Sequence, residues 1–156
     1  MALTCQPPNA VKRKFERARR LYFLSWFDID IIKSGELAAL IALELALRDV
    51  YPHVYSRRNK NGKPISAYLK DGLKYMVDND GLKDEVLPIY QKYGRTVISN
   101  FYREEGSQLG TYVGIRNSLA HGDPFDGFHW PGLLEVVRDL IDYMYRNHPE
   151  SHDRSA

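Results

Sequence analysis

Two side chains near position 120 carry the most distinctive chemistry of this sequence. Arg116 and His121 bracket the run Arg116-Asn117-Ser118-Leu119-Ala120-His121. A guanidinium is permanently cationic and offers a planar fork of donors, suited to holding an anion. An imidazole exchanges a proton near neutral pH and so serves as acid or base. Leu109, Tyr112, Val113 and Ala120 mark an apolar helix face, and Arg116 falls on it one turn beyond Tyr112. A cation aimed at packing must be paired or border a wet cleft, because a lone buried charge is very costly. Gly122 lets the chain turn away without covering the imidazole, and Ser118 and Ala120 leave room for a ligand or a second chain. The pattern predicts an Arg and a His presented together at a helix terminus.

Two other stretches share the spacing. Arg48-Asp49-Val50-Tyr51-Pro52-His53 has the same separation and a polar second residue, and Arg146 to His152 is one residue longer. Bulky Tyr51 and Pro52 separate the ends of the first, and the second lies at a chain end expected to fray. The Arg116 copy, with small neighbours and a trailing glycine, is the preferred one.

Arg116 to His121 resembles the motif of the HEPN superfamily, in which an Arg and a His are separated by four to six residues and a polar residue often follows the Arg. Asn117 matches that preference, and the motif falls in the last third of a helical chain, before one final helix. The resemblance covers most of the chain in architecture and this hexapeptide in residue identity. It implies an all-α, HEPN-like antiparallel bundle of about five to six helices and a metal-independent endoribonuclease of toxin or antiviral-defence type. It further implies a homodimer with the active site at the two-fold interface, and Arg116, His121 and Asn117 as catalytic residues.

In that scheme His121 accepts the proton of a ribose 2′-hydroxyl as it attacks the adjacent phosphate. Arg116 stabilises the charge gathering on the phosphate oxygens, and Asn117 orients the imidazole or holds a phosphate. Some members carry a tyrosine two residues after the His, which a partner nucleotidyltransferase modifies. Asp123 stands there in this chain, so that regulation is not implied, while an antitoxin or another regulatory partner stays open. The alternatives are a non-catalytic HEPN module for RNA binding or dimerisation, and a protein-interaction module.

Plainer readings exist for each residue. Arg116 can bridge to Glu36 or Glu44, which share a strip of one helix, and Glu44 pairs equally well with Arg48 four residues on. His121 can be a helix-capping histidine. The 11 tyrosines can stack bases but sit mostly at packing positions. His129 and Trp130 form either a cleft wall or a packed loop.

Charge distribution says more than the net charge of +2. Lys12, Arg13, Lys14, Arg17, Arg19 and Arg20 crowd one helix, opposed by Glu16 alone. Lys12, Arg13, Arg17 and Arg20 are the candidate RNA contacts. Arg57, Arg58, Lys60 and Lys63 form a second basic group. The five histidines are scattered, with no ligand pair within a helix and no cysteine cluster, so neither a metal nor a cofactor is expected. The lone Cys5 has no partner for an internal disulfide, which fits a reducing cytoplasm. The apolar run Leu37–Leu47 contains Glu44 and is far short of the ~20 residues a membrane span needs. Neither secretion nor membrane insertion is expected.

The elements that must position the motif read as helices throughout. Val11, Phe15, Ala18, Tyr22 and Trp26 predict a stripe on the first. Ser34 is the expected cap of a second, which Pro52 ends. Ile65, Leu69, Leu73, Met76 and Val77 predict a third, stopped by Asp80-Gly81. A fourth starts at Pro88 and carries Tyr90, Tyr93, Val97, Ile98 and Phe101 up to Gly106. The motif helix runs from a Ser107 cap to about Ala120, closed by Gly122 and Pro124. Leu133, Val137, Leu140, Ile141 and Met144 predict the last, from Pro131. One domain over 1–156 is expected, with 148–156 as a flexible tail.

Overall fold

In the computed structural model, residues 1–56, 61–63, 66–101, 111–121 and 129–147 are described. Among them the fold is all-α: α1 (Asn9–Leu24), α2 (Ile31–Val50), α3 (Pro52–Tyr55), α4 (Leu69–Asp78), α5 (Pro88–Tyr93), α6 (Tyr112–Ala120) and α7 (Leu133–Met144). Two short 3-10 helices, Asp84–Val86 and Ile98–Asn100, complete the set, and no strand is present among the described residues. None of these helices is long and apolar enough to cross a membrane. The expected tail, 148–156, lies outside the described residues, as do Ile65, Gly106, Ser107, Leu109, Gly122, Asp123 and Pro124.

The chain divides into two compact units, Met1–Ala46 with Phe125–Ala156, and Leu47–Pro124. In the first, α1 lies against α7. Val11, Phe15 and Ala18 on α1 are buried, as are Leu133, Val137, Leu140, Ile141 and Met144 on α7. Both stripes follow the 3.6-residue period. Gly35 lets α2 approach α1: a Cβ there would stand 2.9 Å from the Tyr22 ring.

Glu36 is fully buried. A carboxylate in such a place needs partners, and it accepts from Lys33 Nζ at 3.1 Å and from the Trp130 backbone N–H. Burial, then the nearby Glu36 and Glu135 carboxylates, push the Tyr22 phenol well above its usual range. Glu36 is thus a structural acid that holds the Trp130 backbone; Trp130 is half-buried and His129 is exposed.

Two expectations fail in this unit. The α1 stripe does not reach Trp26, because the helix ends at Leu24 and Trp26 is 88% exposed. Ser34 does not cap α2, which begins three residues earlier at Ile31. There the Asp28 side chain accepts the Asp30 N–H at 3.1 Å and its carbonyl accepts the Ile31 N–H, so an aspartate turn starts the helix instead.

In the second unit α3 packs on α4. Pro52 opens α3 at its first position, where its missing N–H costs nothing. Leu69, Leu73 and Met76 of α4 are buried. The Asp71 carboxylate accepts the Tyr68 N–H at 2.7 Å at its start. At its end Gly81 takes φ +74° while the Leu82 N–H returns to the Met76 carbonyl at 2.9 Å; the expected stop is there. The expected fourth helix is broken. α5 ends at Tyr93, and Gly94 takes the left-handed conformation at φ 65°, so Ile98 belongs to a separate 3-10 turn and Val97 and Phe101 flank it.

Candidate functional site

A chain of local interactions in the second unit sets the position of α6. Asp84 Oδ1 accepts the backbone N–H groups of Val97 at 2.7 Å and Ile98 at 3.0 Å. This pins the start of the Ile98–Asn100 turn, which delivers Phe101 into a fully buried position. The Phe101 ring meets the Tyr112 ring at 6.1 Å between centroids. Tyr112 is the first residue of α6 and the one α6 residue that is buried. Its phenol is pushed up to about 12, chiefly by burial, with Arg95 opposing and Asp84 adding to the rise. Arg95, which nothing in its local pattern marks, is thus a cation whose field reaches the Tyr112 phenol.

Thr111 caps the helix. Its backbone is extended and its Oγ1 accepts the Gly114 N–H at 3.0 Å, satisfying one of the open donors of the first turn. The motif helix accordingly starts at Tyr112 and not at the Ser107 cap expected from sequence. It is short, and its apolar face fades toward the C-terminal end: Val113 is half-buried and Ala120, expected on that face, is exposed.

The hexapeptide occupies this fading end. Arg116 is half-buried, and Asn117 and His121 are exposed. The Arg116 Nη1 donates to Asn117 Oδ1 over 3.4 Å, a long and weak bond. The His121 N–H donates to the Asn117 carbonyl at 3.0 Å, which makes His121 the C-terminal capping residue. Asn117 therefore touches both ends of the motif, through its side chain to the guanidinium and through its backbone to the His121 main chain. At 3.6 residues per turn, five residues rotate by roughly 140°. The Arg116 and His121 side chains thus leave the helix in different directions, with Asn117 one turn before His121.

The two competing copies differ. Arg48 lies over the Tyr55 ring at 4.8 Å, and His53 meets the Tyr75 ring edge-on at 4.8 Å. Arg146 lies over Tyr143 at 3.7 Å and donates to its carbonyl at 2.7 Å; His152 is outside the described residues. In both, the guanidinium is laid on a tyrosine face.

On α1, Lys12, Arg13, Arg17 and Arg20 are all exposed. Arg13, Arg17 and Arg20 recur at helical spacing and form one stripe, whereas Arg19 is held by Glu16 at 2.8 Å. Of the second basic group Lys63 is exposed, and Arg57, Arg58 and Lys60 lie outside the described residues. Among the described residues no group of three or more His, Cys, Asp or Glu is arranged to hold a metal ion. Cys5 is half-buried, with its thiol pushed up to about 12 by burial and then by Asp142. A group that resists becoming a thiolate is a poor nucleophile.

The fold and this site define an all-α protein with a solvent-facing Arg/Asn/His helix terminus. No family model matches the chain, and neither does a curated protein or a solved structure.

Proposed function

We propose that the chain is a metal-independent endoribonuclease of the HEPN type, acting in a toxin or antiviral-defence setting in a reducing cytoplasm. The observation that carries this reading is the open end of α6, where an exposed His121 follows a half-buried Arg116 within 3.4 Å of the Asn117 side-chain oxygen. His121 takes the proton of a ribose 2′-hydroxyl, whose oxygen bonds to the adjacent phosphorus. Arg116 stabilises the charge developing on the non-bridging oxygens. The bond to the 5′-oxygen then breaks, and that oxygen takes a proton from a second imidazole. The products are a 2′,3′-cyclic phosphate and a 5′-hydroxyl.

The roughly 140° offset between the two side chains supports a composite site. Two copies related by a two-fold axis would supply the second imidazole and a second guanidinium. The exposed stripe of Arg13, Arg17 and Arg20, with exposed Lys12 beside it, suits phosphate contacts along the bound strand. That stripe also supports the second reading, a HEPN module that binds RNA without cutting it. An antitoxin or other regulatory protein is the expected partner of a cutting enzyme.

Purified protein should cut RNA in EDTA, and His121→Ala should lower cleavage by ~10²- to 10⁴-fold. Equal behaviour of wild type and variant removes the enzyme reading. RNA binding that weakens steeply with salt, with no cleavage by either protein, selects the second.

A further inference from the structure

The turn between α1 and α2 exposes apolar side chains that the nuclease reading does not use. Phe23, Trp26, Phe27 and Ile29 are 66%, 88%, 81% and 62% exposed, and Leu24 joins them at 45%. The Phe23 and Phe27 rings meet edge-on at 6.2 Å. Phe23 and Leu24 also wall an apolar groove of about 580 Å³ with Met1 and Leu134. Scattered single apolar residues are ordinary, but several large ones in one place mark a contact with a protein or a membrane. The helix leading into this patch is basic. Arg13, Arg17 and Arg20 recur on one exposed face, and Leu24 continues that face one turn on. Glu16 pairs with Arg19 at 2.8 Å, so that pair is neutral, while the three arginines keep their charge.

What covers this face must offer anions and take up hydrocarbon together. A strand of RNA supplies phosphates, but its bases stack on rings and leave Leu24, Ile29 and the Met1/Leu134 groove uncovered. A phospholipid surface supplies both. Its phosphates face the arginines, its acyl boundary takes aliphatic and aromatic side chains alike, and Trp is enriched at that boundary. The basic stripe also suits a plane: it runs along one helix face, roughly 10 Å from Arg13 to Arg20. Asp28 and Asp30 are exposed nearby, but Lys12 and the arginines outnumber them. Asp28 is also turned to the start of α2, where its Oδ1 accepts the Asp30 N–H at 3.1 Å and open backbone donors offset acidic charge. We infer that the α1–α2 turn is a peripheral anchor on an anionic phospholipid bilayer. Phe23, Trp26 and Phe27 sit in its acyl boundary, and Arg13, Arg17 and Arg20 lie on its headgroup phosphates. This is attachment to one leaflet and not a crossing. It stands apart from the nuclease reading, since it uses neither Arg116 nor His121.

The test is flotation of the full chain with vesicles of phosphatidylserine and phosphatidylcholine, against vesicles of phosphatidylcholine alone. Wild type should float with the anionic vesicles and much less with the neutral ones, and salt should weaken the binding. Trp26→Ala should lower partitioning by about tenfold or more, as loss of one buried aromatic does. Arg13→Gln/Arg17→Gln/Arg20→Gln should lower it by about a hundredfold, at about fivefold per arginine. His121→Ala should leave it unchanged. The substituted side chains face solvent, so the variants should keep the wild-type circular dichroism. Trp130→Phe keeps the backbone bond to Glu36 and leaves Trp26 as the one tryptophan; its emission should shift to the blue when anionic vesicles are added. No binding to anionic vesicles, binding indifferent to Trp26→Ala, or an unmoved Trp26 emission would each overturn the inference. So would a wild type that ignores the vesicles but needs Trp26 to bind single-stranded RNA or to self-associate.

Discussion

The helices α6 and α7 divide the work of this molecule between them. Eight of the 12 residues of α7 are buried, and its charged residues are turned to internal use. Asp139, itself buried, takes the Arg138 guanidinium, and Asp142 accepts the backbone N–H groups of Thr4 and Cys5 at 2.9 and 3.1 Å. α6 has nine residues and buries one, Tyr112. Its polar residues lie at the open end, and its position is set from outside by Asp84, Phe101 and the Thr111 cap. A helix that spends its side chains on packing cannot also present them to a ligand. α6 can, because its anchoring is delegated to a single aromatic and a cap.

The largest expected effect tests that division at its open end. His121→Ala should lower RNA cleavage by ~10²- to 10⁴-fold, the span of a lost general acid–base group, with the thermal midpoint within a degree or two of wild type. A midpoint that falls with the activity would show that His121 is part of the packing and erase the contrast. The reverse profile belongs to α7. Leu140 is fully buried, so Leu140→Ala should cost ~2–5 kcal/mol in denaturant unfolding, with any loss of cleavage following the loss of folded protein. Retained stability would mean that α7 does not carry the packing of its unit.

Much of this division is legible in the sequence, and the part that is not has a common cause. The apolar period of α7 and of the first three turns of α1 predicts which residues are buried, because a repeat at helical spacing is a local signal. The same signal overshoots at Trp26, where the period continues into a turn and the ring faces solvent. It also overshoots at Val97, Ile98 and Phe101, which fit the α5 pattern although Gly94 has already ended the helix. The boundaries fall at residues the apolar pattern does not single out: Gly94 ends α5 in a left-handed conformation and the Thr111 hydroxyl caps α6, in place of the expected Gly106 and Ser107. What no local pattern carries is tertiary. No local pattern marks Asp84, yet it accepts the N–H groups that start the turn before α6, and Glu36 reads as a partner for Arg116, yet it is buried on Lys33 and the Trp130 N–H.

A subtler contrast lies in Cys5, which α7 holds through Asp142. Burial and then Asp142 raise the thiol from 9.0 to about 12, so the fold favours the neutral form. That contribution to stability is complete below about pH 9 and is lost as pH rises toward the folded value. Alkylation by iodoacetamide should therefore be slow at pH 8 in the native protein and still be climbing at pH 10, where the unfolded chain has levelled off. Asp142→Asn should speed it, because the carboxylate that opposes the thiolate is gone. A native rate equal to that of the unfolded chain would place Cys5 outside the hold of α7.

The smallest effect concerns the cap on which α6 depends. Thr111→Ala removes the acceptor of the Gly114 N–H and should cost ~1 kcal/mol, whereas Thr111→Ser keeps a hydroxyl that caps at least as well and should leave stability unchanged. Because Tyr112 alone is buried in this helix, a loosened first turn should also be felt at its far end. Thr111→Ala should lower cleavage modestly, several-fold at most, at temperatures well below unfolding, and Thr111→Ser should restore it. The equivalent loss in α7 would be absorbed by its many packed neighbours. If Thr111→Ala lowers stability but leaves cleavage untouched, the open end of α6 is positioned by something other than its cap and Tyr112.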